Sequence, residues 1–68
     1  MSELTVAFGL RVRERRKLKK ISQEKLALLC NIDRSYMGRI ERGEVNVTIE
    51  KLYELAKALD TPVKNLLP

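Results

Sequence analysis

The residues with the clearest capacity for chemistry lie in NIDRSYMGRIERGE, residues 31–44, which carries Arg34, Arg39 and Arg42. An arginine side chain ends in a planar fork of N–H donors, which can bind guanine O6 and N7 together. The stretch has the length of a short helix. Yet Gly38 in its middle costs about 1 kcal/mol relative to alanine, and Arg34 opposes the helix dipole in the first turn. These two departures from helix rules predict a face that serves binding rather than stability.

Side chains for catalysis or metal binding are scarce. The 68 residues contain one cysteine, Cys30, and no histidine. Zinc sites usually need about four Cys or His ligands, and histidine is the commonest general base. The three glycines are too scattered for a phosphate-binding loop. We therefore expect no enzyme, no cofactor and no metal site, and we expect Cys30 to be a core residue in a reducing compartment.

The charge balance favours a polyanionic partner. The net charge is +5 and the pI about 9.7, which suits nucleic acid or anionic lipid, although a merely solubilising surface would have the same charge. The run RVRERRKLKK, residues 11–20, is most simply a solvated helix face. We find no secretory signal and no apolar run of the roughly 18 residues that a membrane span needs. The sequence therefore predicts a cytoplasmic protein without a membrane partner.

Capping signals divide the chain into helices. Ser22, Asp33 and Thr48 are residue types whose side chains accept hydrogen bonds from helix N-termini. They predict the starts of a second, third and fourth helix, after a first helix over residues 4–19. A fifth helix is predicted to open at Thr61-Pro62, because the missing N–H of proline is harmless at the first helical position.

Apolar residues recur at helical spacing along the same segments. In the first four helices they are Phe8, Val12 and Leu18; Leu26, Leu29 and Cys30; Met37 and Ile40; Ile49, Leu52, Leu55, Ala56 and Leu59. Asn31 and Gly43 tolerate the left-handed conformation that ends helices. The second and third helices are joined by few residues, which suits a helix-turn-helix at about residues 22–43. The sequence thus predicts one all-α domain over residues 1–68, a compact five-helix bundle.

The segment SQEKLALLCNIDRSYMGRIERGEVNVTIEKLYELAKAL carries a family pattern. Its matching features are Ser22-Gln23-Glu24, Leu26-Ala27, Ile32, the run Ile40-Glu41-Arg42-Gly43, and the apolar helix before Asp60-Thr61-Pro62. It resembles the phage-repressor-like (Xre, Cro/repressor) helix-turn-helix family over about residues 7–67. Within that family, DRSYMGRIERGEVNVTIEKL is similar to the controller proteins of restriction–modification systems. The resemblance implies a lambda-repressor-like DNA-binding domain.

Lys20 and Val45 are among the positions that depart from the family pattern, as is the charge of Arg39 on the outer face. Lys20 stands where the family often has a glycine that ends the first helix. Val45 lies in the loop after the third helix, where controller proteins can carry a basic residue that helps to read DNA. The second departure weakens the likeness to controller proteins but leaves the DNA-binding interpretation intact.

In the family the outward face of the third helix enters the major groove. The positions that match or adjoin base contacts are Arg34, Ser35 and Arg39. Contacts to the DNA backbone are expected from Gln23, Tyr36, Arg42, Asn46 and Thr48. Each position has a simpler alternative: the arginines form a solvated surface, with Arg34 paired to Asp33 or Glu41, Tyr36 is partly buried, and Thr48 is only an N-cap. Arg16 and Glu41 match a family ion pair, which would hold the third helix in place.

Double-stranded DNA is the expected partner, and a homodimer is expected because one domain makes few base contacts. Two-fold dimers place paired recognition helices about one DNA turn, roughly 34 Å, apart on near-palindromic half-sites. The predicted dimer surface is Val63, Leu66 and Leu67 with part of the fourth helix, unless these residues close the core. A bound dimer would block RNA polymerase or touch it.

Two other functions are compatible with the sequence. A protein-interaction module, such as an antitoxin or the DNA-binding fragment of a larger repressor, would place its binding patch away from the third helix. A nonspecific DNA or RNA binder would have no preferred sequence.

Overall fold

The computed structural model describes residues 2–68, in which four α-helices and one short 3-10 turn follow one another without a strand. The helices are α1 (Glu3–Leu18), α2 (Gln23–Leu29), α3 (Arg34–Glu41) and α4 (Ile49–Ala58). The all-helical prediction is confirmed. Within these residues no helix is long and apolar enough to cross a membrane.

The predicted fifth helix is wrong in its form. The segment is a 3-10 turn, Val63–Asn65, and Pro62 precedes it in an extended conformation rather than forming its first helical residue. Helix nucleation is costly, so a very short α-helix gains little. One tight turn is enough to carry Leu66 into the core, where its side chain is fully buried.

The capping predictions are confirmed at three helices. Before α2, α3 and α4 the cap side chain accepts a backbone N–H three residues on: Ser22 from Lys25, Asp33 from Tyr36, and Thr48 from Lys51. The left-handed positions are Lys20, Asn31, Gly43 and Asp60. Lys20 therefore takes up the conformation in which the family often has glycine, despite its side chain.

The core joins all four helices and the 3-10 turn. Its apolar residues are Phe8, Val12, Leu26, Ala27, Cys30, Met37, Ile40, Leu55, Ala56, Leu59 and Leu66. Three leucine or isoleucine residues at the apolar helical positions are exposed: Leu18, Leu29 and Ile49. Leu18 and Ile49 are terminal residues of their helices. On α2 the buried stripe runs through Leu26, Ala27 and Cys30, which places Leu29 about 100° around the helix from its centre.

A glycine sets the distance between α1 and α3. Gly9 is buried, and a Cβ atom built on it would lie 2.5 Å from the Glu41 carbonyl oxygen and would also overlap the Ile40 carbonyl oxygen. Backbone atoms cannot turn aside as a side chain can, so only glycine permits this approach. The C-terminal half of α3 therefore rests directly on the backbone of α1.

Candidate nucleic-acid interface

The two sides of α3 differ as the helical spacing predicts. Met37 and Ile40 are buried in the core, whereas Arg34, Ser35 and Arg39 are exposed on the outer side. Within the described residues no carboxylate lies at ion-pair distance from Arg34, so neither predicted pairing, with Asp33 or with Glu41, occurs. The three base-contact candidates therefore share one solvent-facing surface.

Ser35 is engaged with the helix cap. Its hydroxyl donates to Asp33 Oδ1 at 2.6 Å, and the same oxygen accepts the Tyr36 N–H at 2.8 Å. Hydrogen bonds from the Ser35 side chain and then from the Tyr36 backbone lower the pKa of Asp33. Asp33 thus stays ionised at the N-cap of α3, where its charge offsets that of the neighbouring Arg34.

A buried carboxylate anchors the inner side of α3. The Glu41 side chain is fully buried, and Arg16 on α1 donates to it through Nε at 2.6 Å and Nη2 at 3.1 Å. Arg13 adds a longer contact of 3.4 Å. Burial by itself would raise the pKa of Glu41, but hydrogen bonds from Arg16, Gln23 and Arg13 hold the pKa below its usual value. The predicted Arg16–Glu41 pair is therefore present as part of a larger network.

Gln23 belongs to that network, a role that the sequence did not indicate. Its Nε2 donates to Glu41 Oε1 at 2.9 Å. Because an ionised carboxylate only accepts, the amide nitrogen must face Glu41. One N–H of the amide is thereby used, and the second remains for a phosphate oxygen. Gln23 is half-buried at the first residue of α2, beside α3.

Gly38 makes room for polar side chains of this surface. A Cβ atom there would meet Arg42 Nη1 at 3.0 Å and Gln23 Oε1 at 3.8 Å, so its nearest neighbours are side chains rather than backbone. The glycine therefore accommodates the guanidinium of Arg42. The absent side chain thus leaves room for a candidate DNA-contacting residue rather than for a packed helix.

The C-terminal end of α3 is closed by a Schellman motif. Gly43, at φ 76°, donates to the Ile40 carbonyl at 3.0 Å, and Glu44 N–H donates to the Arg39 carbonyl at 2.9 Å. The Thr5 hydroxyl on α1 donates to the Gly43 carbonyl at 2.8 Å. This end of α3 is thus held by α1 as well as by its own cap.

Glu44 lies among the arginines of the outer face. Its Oε2 is 2.8 Å from Arg42 Nε, and its Oε1 is 3.8 Å from Arg39 Nε. The hydrogen bond from Arg42 lowers the pKa of Glu44, and the same bond raises the pKa of Arg42. The sequence gives no signal for this role of Glu44, because its position depends on the turn at Gly43.

The remaining predicted contacts lie at the edges of the surface. Tyr36 is half-buried against the core, and Asn46 is exposed in the loop before α4. Thr48 is exposed and caps α4, which is the simpler role that the sequence offered for it.

The residues predicted to form the dimer surface do not share one environment. Leu66 is fully buried and Leu67 is 46% exposed, while Val63 is partly buried against the core. Leu66 is therefore a core residue in this fold and is not presented to a partner. Leu67 is accessible to a partner at the surface, and Val63 is partly accessible.

Comparisons with known proteins match the chain to a helix-turn-helix family. The family described as "Helix-turn-helix" matches residues 12–66. Control protein C.SmaI of Serratia marcescens is 48% identical over 56 residues, which are 82% of this chain and 67% of that protein. Control protein C.BamHI of Bacillus amyloliquefaciens is 40% identical over 67 residues, covering 97% of this chain and 83% of that protein.

A solved structure shows the same arrangement of helices. The restriction-modification controller protein C.AhdI from Aeromonas hydrophila superposes with a TM-score of 0.89 at 48% identity, covering 93% of this chain and 91% of that chain.

Proposed function

The chain belongs to the phage-repressor-like helix-turn-helix family of DNA-binding transcriptional regulators, and we propose that it acts as a homodimer on a near-palindromic operator. It is a regulator and not an enzyme. Its relatives C.SmaI, C.BamHI and C.AhdI are named as controller proteins, so we assign it the same role in a restriction–modification system. DNA in the cytoplasm is then its site of action.

The observation that carries the proposal is the division of α3 into an anchored side and a free side. Glu41 is held by side chains from α1 and α2, which restricts the helix to one pose. The opposite side presents Arg34, Ser35 and Arg39 to solvent. Rigid presentation of arginine forks is what reading guanine edges in a major groove requires. We assign base contacts to these three residues.

Contacts to the sugar–phosphate backbone surround the base-reading group. We assign them to Gln23, through the second N–H of its amide, and to Arg42, whose guanidinium reaches across Gly38. Tyr36, Asn46 and Thr48 complete the set at the edges of the surface. Phosphate contacts fix the orientation of a protein on the duplex but carry no sequence information.

The proposed dimer pairs two recognition helices on consecutive turns of DNA. Leu67 and the exposed part of Val63 support a two-fold contact at the C-terminal side of the fold. When bound, the dimer would block RNA polymerase or contact it. Genes for a nuclease and a methyltransferase beside the coding sequence would support the controller assignment.

Selection from a pool of random DNA duplexes, followed by footprinting, tests this function. We expect a near-palindromic consensus whose half-sites lie one helical turn apart. Enrichment of no sequence would contradict operator binding and favour a nonspecific binder. Failure to bind any duplex would favour a protein-interaction module.

A further inference from the structure

Glu44 is an acidic side chain on the surface assigned to DNA. Its backbone N–H is bonded to the Arg39 carbonyl, and Gly43 before it adopts φ 76°. The turn therefore determines where the carboxylate lies, between the side chains of Arg39 and Arg42. Proteins seldom place an anion where phosphates must approach without a compensating effect, since the like charges repel.

The contacts of Glu44 leave the binding ends of both arginines free. Each guanidinium faces the carboxylate through Nε, at 3.8 Å for Arg39 and 2.8 Å for Arg42. The two terminal nitrogens of Arg39 remain available, and these can span guanine O6 and N7. A carboxylate beside Nε restricts the side chain to fewer rotamers, so less conformational entropy is lost when the base is bound.

Stability is a weak explanation for the pairs. Both arginine side chains are about half exposed, and Glu44 is 40% exposed. Exposed ion pairs contribute little to the free energy of folding because water and salt screen them. We therefore expect Glu44 to affect the binding of DNA more than the stability of the fold.

We propose that Glu44 is a specificity-determining positioning residue of the recognition surface. It orients Arg39 and Arg42 for the operator, and its charge weakens binding to DNA in which Arg39 finds no matching base. Both effects increase the ratio of specific to nonspecific affinity. The inference rests on the proposed function, since it requires that α3 reads a DNA sequence.

Three variants separate positioning from charge. Glu44→Gln removes the charge and the ion pairs, while Glu44→Asp keeps the charge but shortens the reach by one methylene group. Glu14→Gln is the matched control, because Glu14 is exposed on α1 and lies outside the helix-turn-helix. Dissociation constants are measured on the site selected by the unmodified protein and on random duplex, over a range of salt concentrations, with thermal unfolding to verify the fold.

We expect Glu44→Gln to bind random duplex more tightly, with a salt slope steeper by about 0.9 if one more phosphate is neutralised. Its preference for the selected site should fall about tenfold, the scale of one impaired bidentate contact. Glu44→Asp should lose preference without gaining affinity for random duplex, and Glu14→Gln should keep the original preference.

Equal changes on both kinds of DNA, or no change in either, would overturn the inference. Retention of the full preference by Glu44→Asp would overturn the positioning role. These outcomes differ from failure of the proposed function. In that case the unmodified protein would itself select no sequence.

Discussion

At the residue scale, the glycine within α3 and the charged groups around it form one arrangement. Gly38 leaves space that the guanidinium of Arg42 occupies, and Arg42 is held from its other side by Glu44. A residue that weakens the helix thereby places a cation across the outer face. Local cost in return for a functional geometry is expected at a binding site.

Gly38→Ala should separate helix stability from DNA binding. Alanine favours the helix by up to about 1 kcal/mol, and the atom nearest to its Cβ would be Nη1 at the mobile end of Arg42, at 3.0 Å. We therefore expect a higher free energy of unfolding in urea and weaker binding to the selected site. Unchanged binding in a more stable variant would contradict the role assigned to this space.

Arg39→Ala should reduce affinity for the selected site by about 1–3 kcal/mol and relax the sequence preference at one position. Arg42→Ala is the matched comparison, because removal of a phosphate contact weakens binding to all sequences alike. Competition titrations with base-substituted duplexes measure both effects. A loss for Arg39→Ala that is equal on every duplex would reassign Arg39 to the backbone.

At the element scale, α1 packs against α3 and fixes its position. The two helices meet at Gly9, at the Arg16–Glu41 pair, and at the bond from Thr5 to the Gly43 carbonyl. These contacts lie at the C-terminal end of α3 and at the turn that follows it. The pose of the outer side of α3, the side proposed to face DNA, therefore depends on α1.

Gly9→Ala should destabilise the fold by about 1–3 kcal/mol, as overpacking of a tight contact does. The added methyl group would lie 2.5 Å from the Glu41 carbonyl oxygen, so α1 and α3 must move apart. Gly38→Ala is the control, since it is the same chemical change within a helix but is expected to increase the free energy of unfolding. Urea unfolding that shows Gly9→Ala as stable as the unmodified protein would contradict the close approach.

The network around Glu41 predicts loss of stability in acid. Because the pKa of Glu41 is lowered in the folded state from the usual 4.5, the unfolded chain takes up protons first as the pH falls. The contribution of this group is complete above the unfolded pKa and is lost as the pH falls through the folded pKa. The urea midpoint should therefore be level near neutrality and decrease below about pH 4.5.

Glu41→Gln provides the control for the acid prediction. It should be less stable at neutral pH, because Arg16 loses its charged partner, and its stability should decrease less steeply in acid. Asp33 and Glu44 also have lowered pKa values and add to the decrease. The ordinary carboxyl pKa lies between about pH 3 and pH 5. A free energy of unfolding that increases as the pH is lowered over this range would contradict the stabilising role of the network.

At the scale of the whole molecule, a small domain must divide few apolar residues between its core and its partner. The C-terminal segment shows this division in adjacent residues. Leu66 closes the core below the 3-10 turn, and Leu67 remains exposed on the surface. A dimer can therefore use the second leucine without removing the first from the fold.

Leu67→Glu should disrupt the proposed dimer while leaving the monomer folded. A charged carboxylate at a packed two-fold contact faces its own copy, so sedimentation should show a shift toward monomer and operator binding should weaken. Leu66→Glu is the contrasting variant: burial of an unpaired charge in the core should unfold the domain. A Leu67→Glu variant that stays dimeric would place the interface elsewhere.

Much of the fold could be predicted because the signals are local. A cap such as Ser22 bonds to an N–H three residues away, and Gly43 needs only its own backbone conformation to end α3. The alternation of Met37 and Ile40 with exposed arginines likewise depends on helical spacing alone. The family pattern added the pairing of Arg16 with Glu41, which helical spacing cannot reach.

The sequence by itself determined the four α-helices, their order, and which side of α3 faces away from the core, because these follow from interactions within about one helical turn. Only the tertiary structure decided that Leu66 is buried and Leu67 exposed, that Gln23 joins Glu41, and that Glu44 lies between two arginines. Such contacts depend on the angles and distances at which helices and turns meet. Those angles and distances arise from packing over the whole domain, and no single segment of the sequence specifies them.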